Sequence, residues 1–321
     1  MQFSIIVPVY NRPDEIRELL ESLANQTFTD FEVLIVEDGS TKTCKNIVRS
    51  FENKLTVSYY YKENSGQGFS RNYGFEMANG NYFVVFDSDC IIPSYYFQSV
   101  SDLIENQKID CWGGPDRSHP SFTITQKAIS YSMTSWLTTG GIRGHRKHLG
   151  EYRPRSFNMG ISKEVYKKTG GYKITRMGED IEFSIRIRKN GFRTIFIEDA
   201  YVYHKRRTNL FRFYKQIRFF GRARINIARF HPEELQWLHS MPAIFLTGFI
   251  ISLISFAFSS GISTYLIYLY VVYALFLFLH SLLQKKNVLI AGTATLAAFI
   301  QLIAYGDGFI REGIKYIKGD E

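Results

Sequence analysis

The arrangement of hydrophobic and polar positions divides the chain into two parts near residue 235. In the first part, short β-branched apolar stretches alternate with segments that have apolar residues at helical spacing. Continuous apolar stretches of this kind are typical of strands that are buried on both faces of a sheet. The predicted strands are residues 3–9, 31–37, 55–60 and 82–86, and the clearest predicted helices begin at Pro13 and at Gln67.

The order of these elements predicts an α/β fold with an open, mainly parallel sheet of Rossmann type. In such sheets, ligands bind at the carboxyl ends of the strands. A dinucleotide-binding dehydrogenase would have a G-x-G-x-x-G turn after its first strand, whereas residues 10–13 read YNRP and contain no glycine. The pattern therefore argues against hydride transfer and directs attention to the polar residues at the strand ends.

Three dense apolar runs follow at residues 241–259, 262–283 and 288–305. Each has about the length that a helix needs to cross a hydrocarbon core of roughly 30 Å. The 50 residues from 235 to 284 contain no Asp, Glu, Lys or Arg, and buried helices of soluble proteins rarely follow one another in this way. We therefore predict a membrane region with about three transmembrane helices.

The net charge of +9 is concentrated in one segment directly before these runs. Residues 205–230 contain nine Lys and Arg and no acidic residue, which leaves 30 basic and 30 acidic residues in the rest of the chain. By the positive-inside rule, this segment predicts a multi-pass protein of the cell membrane with a cytoplasmic N-terminal domain. Nucleic acid is not an expected partner, because no recognition motif accompanies the charge.

Aromatic residues interleave with these cations, which suits a helix at the headgroup level of a membrane with anionic lipids. We predict an α/β domain at 1–204, a basic aromatic interfacial segment at 205–234 and a membrane region at 235–321. Three spans would put residues 306–321 outside, although this tail carries Arg311, Lys315 and Lys318. Two spans, with one apolar run in the interface, are therefore an open alternative.

Two carboxylates follow the fourth predicted strand at Asp87 and Asp89. Two acids in a solvated turn are common, but here they end an apolar strand, and Asp38 ends another strand of the same sheet. Hard cations prefer carboxylate oxygens together with substrate phosphates. The pair therefore predicts a Mg²⁺ or Mn²⁺ site that neutralises a leaving diphosphate.

A second acidic pair, Glu179 and Asp180, precedes a segment that fits either a strand or a helix. If the segment is a helix, either carboxylate gains from the helix N-terminus. From spacing alone, the pair is typical of a helix cap.

Several motifs together resemble family 2 inverting glycosyltransferases, which have the GT-A fold. The resemblance covers residues 3–230, and six motifs occur in the order of the family. They are VPVYNR (7–12), VEDGSTK (36–42), NSGQGFSRNYG (64–74), FDSD (86–89), FNMGISKEVYKKTGGY (157–172) and GEDIEFSIRIRKNG (178–191).

The resemblance implies a role for each matching residue. The family's nucleotide-binding positions correspond to Pro8, Tyr10, Asp38 and Arg71, and its D-x-D carboxylates correspond to Asp87 and Asp89. These carboxylates would contact the donor and hold Mg²⁺ or Mn²⁺, with Asp89 the more direct ligand. The general base corresponds to Asp180, and His204 corresponds to a further metal ligand of some relatives.

The implied function is transfer of a sugar from a nucleotide-sugar, UDP-linked by family frequency, to a lipid-linked or glycan acceptor in polysaccharide or glycolipid synthesis. The alternatives are a polyprenyl-phosphate sugar synthase and a catalytically silent scaffold that binds nucleotide-sugars. Processive synthases carry Q-x-x-R-W near the membrane, but residues 216–220 read QIRFF and keep only the glutamine. Expected acceptor or lipid contacts are Glu179, Gln216, Arg218 and Arg222, and the basic loop 143–155 is a candidate to close over donor or acceptor.

Overall fold

The computed structural model describes residues 1–139, 152–257 and 261–319, with side chains described from 264 onward in the last range. Most of the predicted basic loop at 143–155 therefore lies outside the described residues. The chain forms two compact units. We call Met1–His119 with Gly144–Lys205 the sheet unit, and Pro120–Arg143 with Arg206–Glu321 the helical unit.

The sheet unit contains a seven-stranded sheet with the order β3-β2-β1-β4-β8-β6-β9. β1 pairs in parallel with β2 and β4, and β8 pairs antiparallel with β4 and β6. The expectation of an α/β fold with a mainly parallel sheet is confirmed. The strands of this sheet are β1 (Phe3–Val9), β2 (Phe31–Asp38), β3 (Val57–Lys62), β4 (Tyr82–Phe86), β6 (Cys111–Gly113), β8 (Asn158–Ser162) and β9 (Thr194–Phe196).

Eight helices of the chain precede or connect these strands, and buried apolar side chains of the first and fourth helices pack into the core of the sheet. In the first of them, a buried stripe at Ile16, Leu19, Leu20 and Leu23 packs into the same core as β1 and β2. The helices are α1 (Pro13–Ala24), α2 (Lys45–Arg49), α3 (Gln67–Met77), α4 (Tyr96–Asn106), α5 (Ile124–Thr134), α6 (Trp136–Thr139), α7 (Lys163–Thr169) and α8 (Glu179–Lys189), of which α5 and α6 belong to the helical unit.

The ambiguous segment after Gly178 is a helix, α8. Gly178 adopts φ +97° at its N-cap, a conformation that suits glycine because there is no Cβ to clash. Arg186 fixes the helix by a bidentate ion pair with Glu182 and by hydrogen bonds to the backbone carbonyls of Thr169 and Gly171. These bonds hold the N-terminus of α8 in a defined position.

A second, three-stranded sheet has the order β5-β10-β7. It consists of β5 (Cys90–Ile91), β7 (Asp116–Arg117) and β10 (Val202–His204). The register pairs His204 with Cys90 and Val202 with Asp116. This small sheet therefore brings the chain after β4 close to His204, which lies more than 100 residues later.

The helical unit contains four long helices besides α5 and α6. Three segments, Trp237–Ala257, Thr264–Lys285 and Val288–Lys318, are long and apolar enough to cross a membrane. They agree with the three predicted runs, except that the third continues for 13 residues beyond residue 305. The long helices are α9 (Leu210–Phe230), α10 (Met241–Ala257), α11 (Gly261–Lys285) and α12 (Val288–Lys318).

Candidate functional site

Polar contacts connect the ends of the first two strands of the sheet unit. Asn11 has φ +55°, and its side-chain oxygen accepts hydrogen bonds of 2.9 Å from the backbone amides of Thr41 and Lys42. The backbone amide of Asn11 donates to Ser40 Oγ at 2.8 Å. Pro8 lies within β1, and Tyr10 follows the strand with an exposed ring. Both residues therefore lie at the carboxyl end of β1.

Asp38 is the last residue of β2 and organises the loop before α3. Its carboxylate accepts hydrogen bonds from the backbone amides of Ser65 and Gly66 at 2.9 Å and from Lys62 Nζ at 2.8 Å. Burial raises the pKa of Asp38, but these donors outweigh burial and leave the pKa below its ordinary value. Asp38 is therefore ionised at neutral pH and fixes the shape of this loop.

Asp89 is the centre of a cluster of charged groups after β4. Arg12 Nη1 lies 2.8 Å from Asp89 Oδ2, and His204 Nε2 lies 3.1 Å from Asp89 Oδ1. Burial raises the pKa of Asp89, but the charges and hydrogen bonds of His204 and Arg12 outweigh it and hold the pKa well below its usual range. Asp89 is therefore a carboxylate anion at neutral pH.

Asp89, Cys90 and His204 have potential metal-ligand atoms within 4.8 Å of one another. Asp89 Oδ1 is buried with His204 Nε2 3.1 Å away, so one oxygen and one nitrogen ligand atom lie side by side. Burial raises the pKa of the Cys90 thiol well above its ordinary value, which opposes a thiolate ligand. The oxygen and imidazole donors that remain fit a hard divalent cation such as Mn²⁺ better than a thiolate-bound metal.

Asp116 lies beside this cluster but is not among the residues predicted from the sequence. Its Oδ2 lies 3.9 Å from His204 Nδ1, on the opposite side of the imidazole from Asp89. The ring of Phe157 stacks on the imidazole at 4.7 Å between centroids. At 3.9 Å the contact with Asp116 is electrostatic and not a hydrogen bond, so Asp116 adds negative charge beside the imidazole. The signal in the sequence is weak, because Asp116 occurs in a two-residue strand with no motif around it.

Arg71 connects the two acidic motifs of the site. Its guanidinium is fully buried and reaches Asp87 Oδ1 at 2.8 Å through Nη2 and Glu179 Oε1 at 3.2 Å through Nη1. Gln67 donates a further hydrogen bond to Glu179. The resemblance implies that Arg71 holds the nucleotide, and in this structure its guanidinium is paired with the carboxylates of Asp87 and Glu179.

Burial and the neighbouring charge of Asp180 raise the pKa of Glu179, and the opposing charge of Arg71 only partly offsets them. Asp180 is more accessible than Glu179, and its Oδ1 lies 3.7 Å from Arg155 Nη1. The two adjacent acids therefore have different environments. Glu179 accepts hydrogen bonds from Arg71 and Gln67, whereas the Asp180 side chain is more exposed at the N-terminus of α8.

The other predicted contact residues are on α9 in the helical unit. Arg218 Nε lies 2.6 Å from Asp307 Oδ2, and Arg222 Nε lies 2.9 Å from Glu312 Oε2. Gln216 is half-buried on the same helix. Both predicted arginine contacts are therefore paired with carboxylates of α12.

The sheet topology and the acidic strand ends define an α/β protein of the GT-A type. The chain belongs to glycosyltransferase family 2, because the model described as "Glycosyl transferase family 2" matches residues 4–170, more than half of the chain. The family expected from the six motifs is thereby confirmed.

Two of the similar proteins are named after a specific reaction. The poly(ribitol-phosphate) beta-N-acetylglucosaminyltransferase TarS of Staphylococcus aureus is 39% identical over 114 residues, which are 34% of this chain and 20% of TarS. The chondroitin synthase of Escherichia coli is 27% identical over 235 residues, which are 63% of this chain and 34% of that protein. The matches thus cover only about a third or less of the length of these relatives.

Solved structures share the fold. The mannosyltransferase PcManGT of Pyrobaculum calidifontis, in complex with GDP-Man and Mn²⁺, gives a TM-score of 0.67 at 16% identity, with 100% of this chain and 88% of that chain covered. Residues 1–349 of Staphylococcus aureus TarS with UDP-GlcNAc give 0.52 at 20% identity, with coverages of 100% and 93%. At these identities, the likeness establishes the GT-A fold alone.

Proposed function

We propose that this protein is a membrane-anchored, metal-dependent, inverting glycosyltransferase. It transfers a sugar from a nucleotide-sugar, UDP-linked by family frequency, to a lipid-linked or glycan acceptor at the inner membrane face. The observation that carries this proposal is the bridge from Asp87 through Arg71 to Glu179, because it holds the strand-end carboxylates and the start of α8 in one site. Solved relatives that contain UDP-GlcNAc, or GDP-Man with Mn²⁺, support a nucleotide-sugar donor and a divalent cation.

In this proposal, the residues of the first two strand ends bind the nucleotide. Tyr10 offers its exposed ring to a base, and Asp38 holds the loop that forms the floor of the nucleotide site. Asp89 and His204 would hold Mg²⁺ or Mn²⁺, with Asp87 beside them, and the cation would offset the charge of the departing diphosphate. Arg12 also supplies positive charge at Asp89.

Asp180 is the proposed general base. Its carboxylate accepts the proton of the acceptor hydroxyl as that oxygen attacks the anomeric carbon, while the bond from this carbon to the diphosphate oxygen breaks. One displacement without a covalent intermediate inverts the anomeric configuration, as in single-displacement glycosidases. Arg155 Nη1 lies 3.7 Å from Asp180 Oδ1 and places a positive charge beside the proposed base.

Substitution of the base tests this proposal. We expect Asp180→Asn to lower the transfer rate by about 10²–10⁴-fold, because a positioned general base contributes this much, and to leave the Kd for the nucleotide-sugar unchanged. Mass spectrometry of a membrane lipid extract incubated with a panel of donors and Mn²⁺ measures transfer and identifies sugar and acceptor. Asp199→Asn, at an exposed carboxylate, is the matched control.

The outcome also separates the proposal from its alternatives. A lipid phosphate needs little help from a base, so transfer by Asp180→Asn at a near-normal rate would favour a polyprenyl-phosphate sugar synthase. Donor binding without transfer or hydrolysis by the unmodified protein, across the whole panel, would favour a silent scaffold.

A further inference from the structure

α12 has two halves with different chemistry. Residues 288–305 are apolar, whereas the rest of the helix carries Asp307, Arg311, Glu312, Lys315 and Lys318. A helix of 31 residues is about 46 Å long, which exceeds a hydrocarbon core of roughly 30 Å. By composition the first half could span a membrane, so its neighbours decide where it lies.

The apolar half of α12 packs along α5. Ile290, Ala294 and Ala298 share a buried cluster with Ala128 and Tyr131 of α5 and with Leu277 near the end of α11. Further along, Ala297 and Ala304 share a second cluster with Ile129 and Met133 of α5 and with two residues of α9. α5 therefore packs beside the apolar half of α12.

α5 is not a helix that can reside in hydrocarbon. It has 11 residues, or about 17 Å, and its N-terminus is closed by a capping box between Thr123 and Gln126. Lys127 on its first turn donates from Nζ to the carbonyl of Pro120 at 2.7 Å in an exposed position. At bilayer depth the ends of this helix and its lysine would lack water as a hydrogen-bond partner, which is strongly unfavourable. The side of α12 that α5 covers must therefore lie outside the hydrocarbon core.

The charged half of α12 packs along α9. Asp307 pairs with Arg218, and Glu312 pairs with Arg222 at 2.9 Å and with Arg229 at 3.5 Å. α9 is the basic aromatic helix whose exposed cations suit the headgroup layer. The ion pairs therefore hold the second half of α12 at the level of α9.

α10 and α11 have a different environment. Only 11% of the apolar window of each is buried, compared with 39% for α12. They pack against each other, for example through Tyr270, whose hydroxyl donates to the carbonyl of Phe245 at 2.9 Å. Large apolar side chains such as Ile254 and Phe276 remain exposed on them. This pattern is typical of helices that are surrounded by lipid.

We propose that α12 lies along the membrane surface, together with α5 and α9, and that only α10 and α11 enter the bilayer. The exposed side chains of Val288, Leu289 and Leu296 would then dip into the boundary between headgroups and acyl chains. The chain returns after α11 to the side from which it entered. Lys315 and Lys318 therefore remain with the cations of α9 on one side, which removes the charge conflict of a three-span topology.

Cysteine labelling of the full chain in membrane vesicles tests this placement. Gln284→Cys reports the exposed end of α11, and Lys318→Cys reports the exposed end of α12. The native Cys44, Cys90 and Cys111 are buried, so a membrane-impermeant maleimide has little background. We expect both variants to be labelled in vesicles of one orientation and both to be protected in vesicles of the other. Labelling after detergent addition gives the total for each variant.

Protection of Lys318→Cys in the vesicles that label Gln284→Cys would show that α12 crosses the bilayer and would overturn the proposal. The proposal rests on the membrane anchoring assumed under Proposed function but not on sugar transfer. If high salt releases the protein from membranes, α10 and α11 are not inserted in the bilayer. That result would refute both the placement proposed here and the membrane anchoring under Proposed function. A transfer assay on the same vesicles tests the enzymatic proposal separately.

Discussion

Arginine–carboxylate pairs occur in both units, but they serve different purposes. In the sheet unit, Arg71 is 1% exposed and bridges Asp87, which follows β4, to Glu179 at the start of α8. In the helical unit, Arg218 and Arg222 are 40% and 39% exposed and fasten α9 to α12. The same residue types therefore organise the candidate site in one unit and the packing of two helices in the other.

The difference follows from topology and burial. Parallel strands bring their carboxyl ends to one edge, so polar groups that are distant in the sequence meet there. Asp89, for example, lies next to both Arg12 and His204. Two packed helices instead present their charges along a seam, where each carboxylate of α12 is matched by arginines of α9. Substitutions in the two units should therefore differ in what they affect.

The largest expected effect is that of Asp89→Asn in the sheet unit. Removal of this charge should lower transfer by about 10³-fold, because a cation that offsets leaving-group charge contributes several kcal/mol. It should also lower the affinity for Mn²⁺, which electron paramagnetic resonance measures without substrate. A variant with normal Mn²⁺ affinity would show that Asp89 is not a metal ligand.

Arg71→Met should affect stability most strongly. It leaves the carboxylates of Asp87 and Glu179 without their buried cation, which costs about 3–5 kcal/mol of unfolding free energy. Chemical denaturation of the detergent-solubilised protein measures this loss, and Arg49→Met at an exposed position is the control. A loss below that of the control would mean that the bridge contributes nothing.

Asp116→Asn should have a smaller and more specific effect. Loss of the negative charge 3.9 Å from His204 should weaken Mn²⁺ binding by about 10–100-fold, because carboxylates close to a metal site favour the bound cation. Transfer should recover at high Mn²⁺ concentration, which a merely destabilised protein would not do. The single variant His204→Ala should bind Mn²⁺ as weakly as the double variant Asp116→Asn/His204→Ala, because Asp116 acts through His204. If His204→Ala binds Mn²⁺ with unchanged affinity, His204 is not a ligand of the metal.

Glu312→Gln in the helical unit should have the smallest effect. It removes the charge that pairs with Arg222 and Arg229, which are partly exposed, so the expected loss of stability is about 1 kcal/mol. Affinity for Mn²⁺ should not change. A metal-binding defect in this variant would contradict the division of roles between the two units.

Much of the sheet unit could be predicted from the sequence. The observed β1 and β4 have the predicted bounds, and α1 begins at Pro13 as predicted, because continuous apolar stretches and helical spacing are strong local signals. β3 begins two residues later than expected, since strand ends depend on pairing with β2. The six motifs also predict the family to which the chain belongs.

The contacts between side chains of the candidate site could not be predicted from the sequence. Asp116 and Arg12 join Asp89 only because β5, β7 and β10 form a small sheet and because the turn after β1 approaches the end of β4. The bridge by Arg71 likewise joins residues that are 16 and 108 positions apart from it. No local pattern encodes such distances.

The sequence by itself determined the fold class, the family and the three apolar runs, because these depend on periodicity, composition and motif order. Tertiary structure decided which charges act together. In the folded chain, Glu179 pairs with Arg71, while Asp180 is more exposed. The acidic residues of α12 likewise pair with arginines of α9. The apolar half of α12 illustrates the physical reason: hydropathy records how well a segment tolerates lipid, but only its packed neighbours determine whether it meets lipid at all.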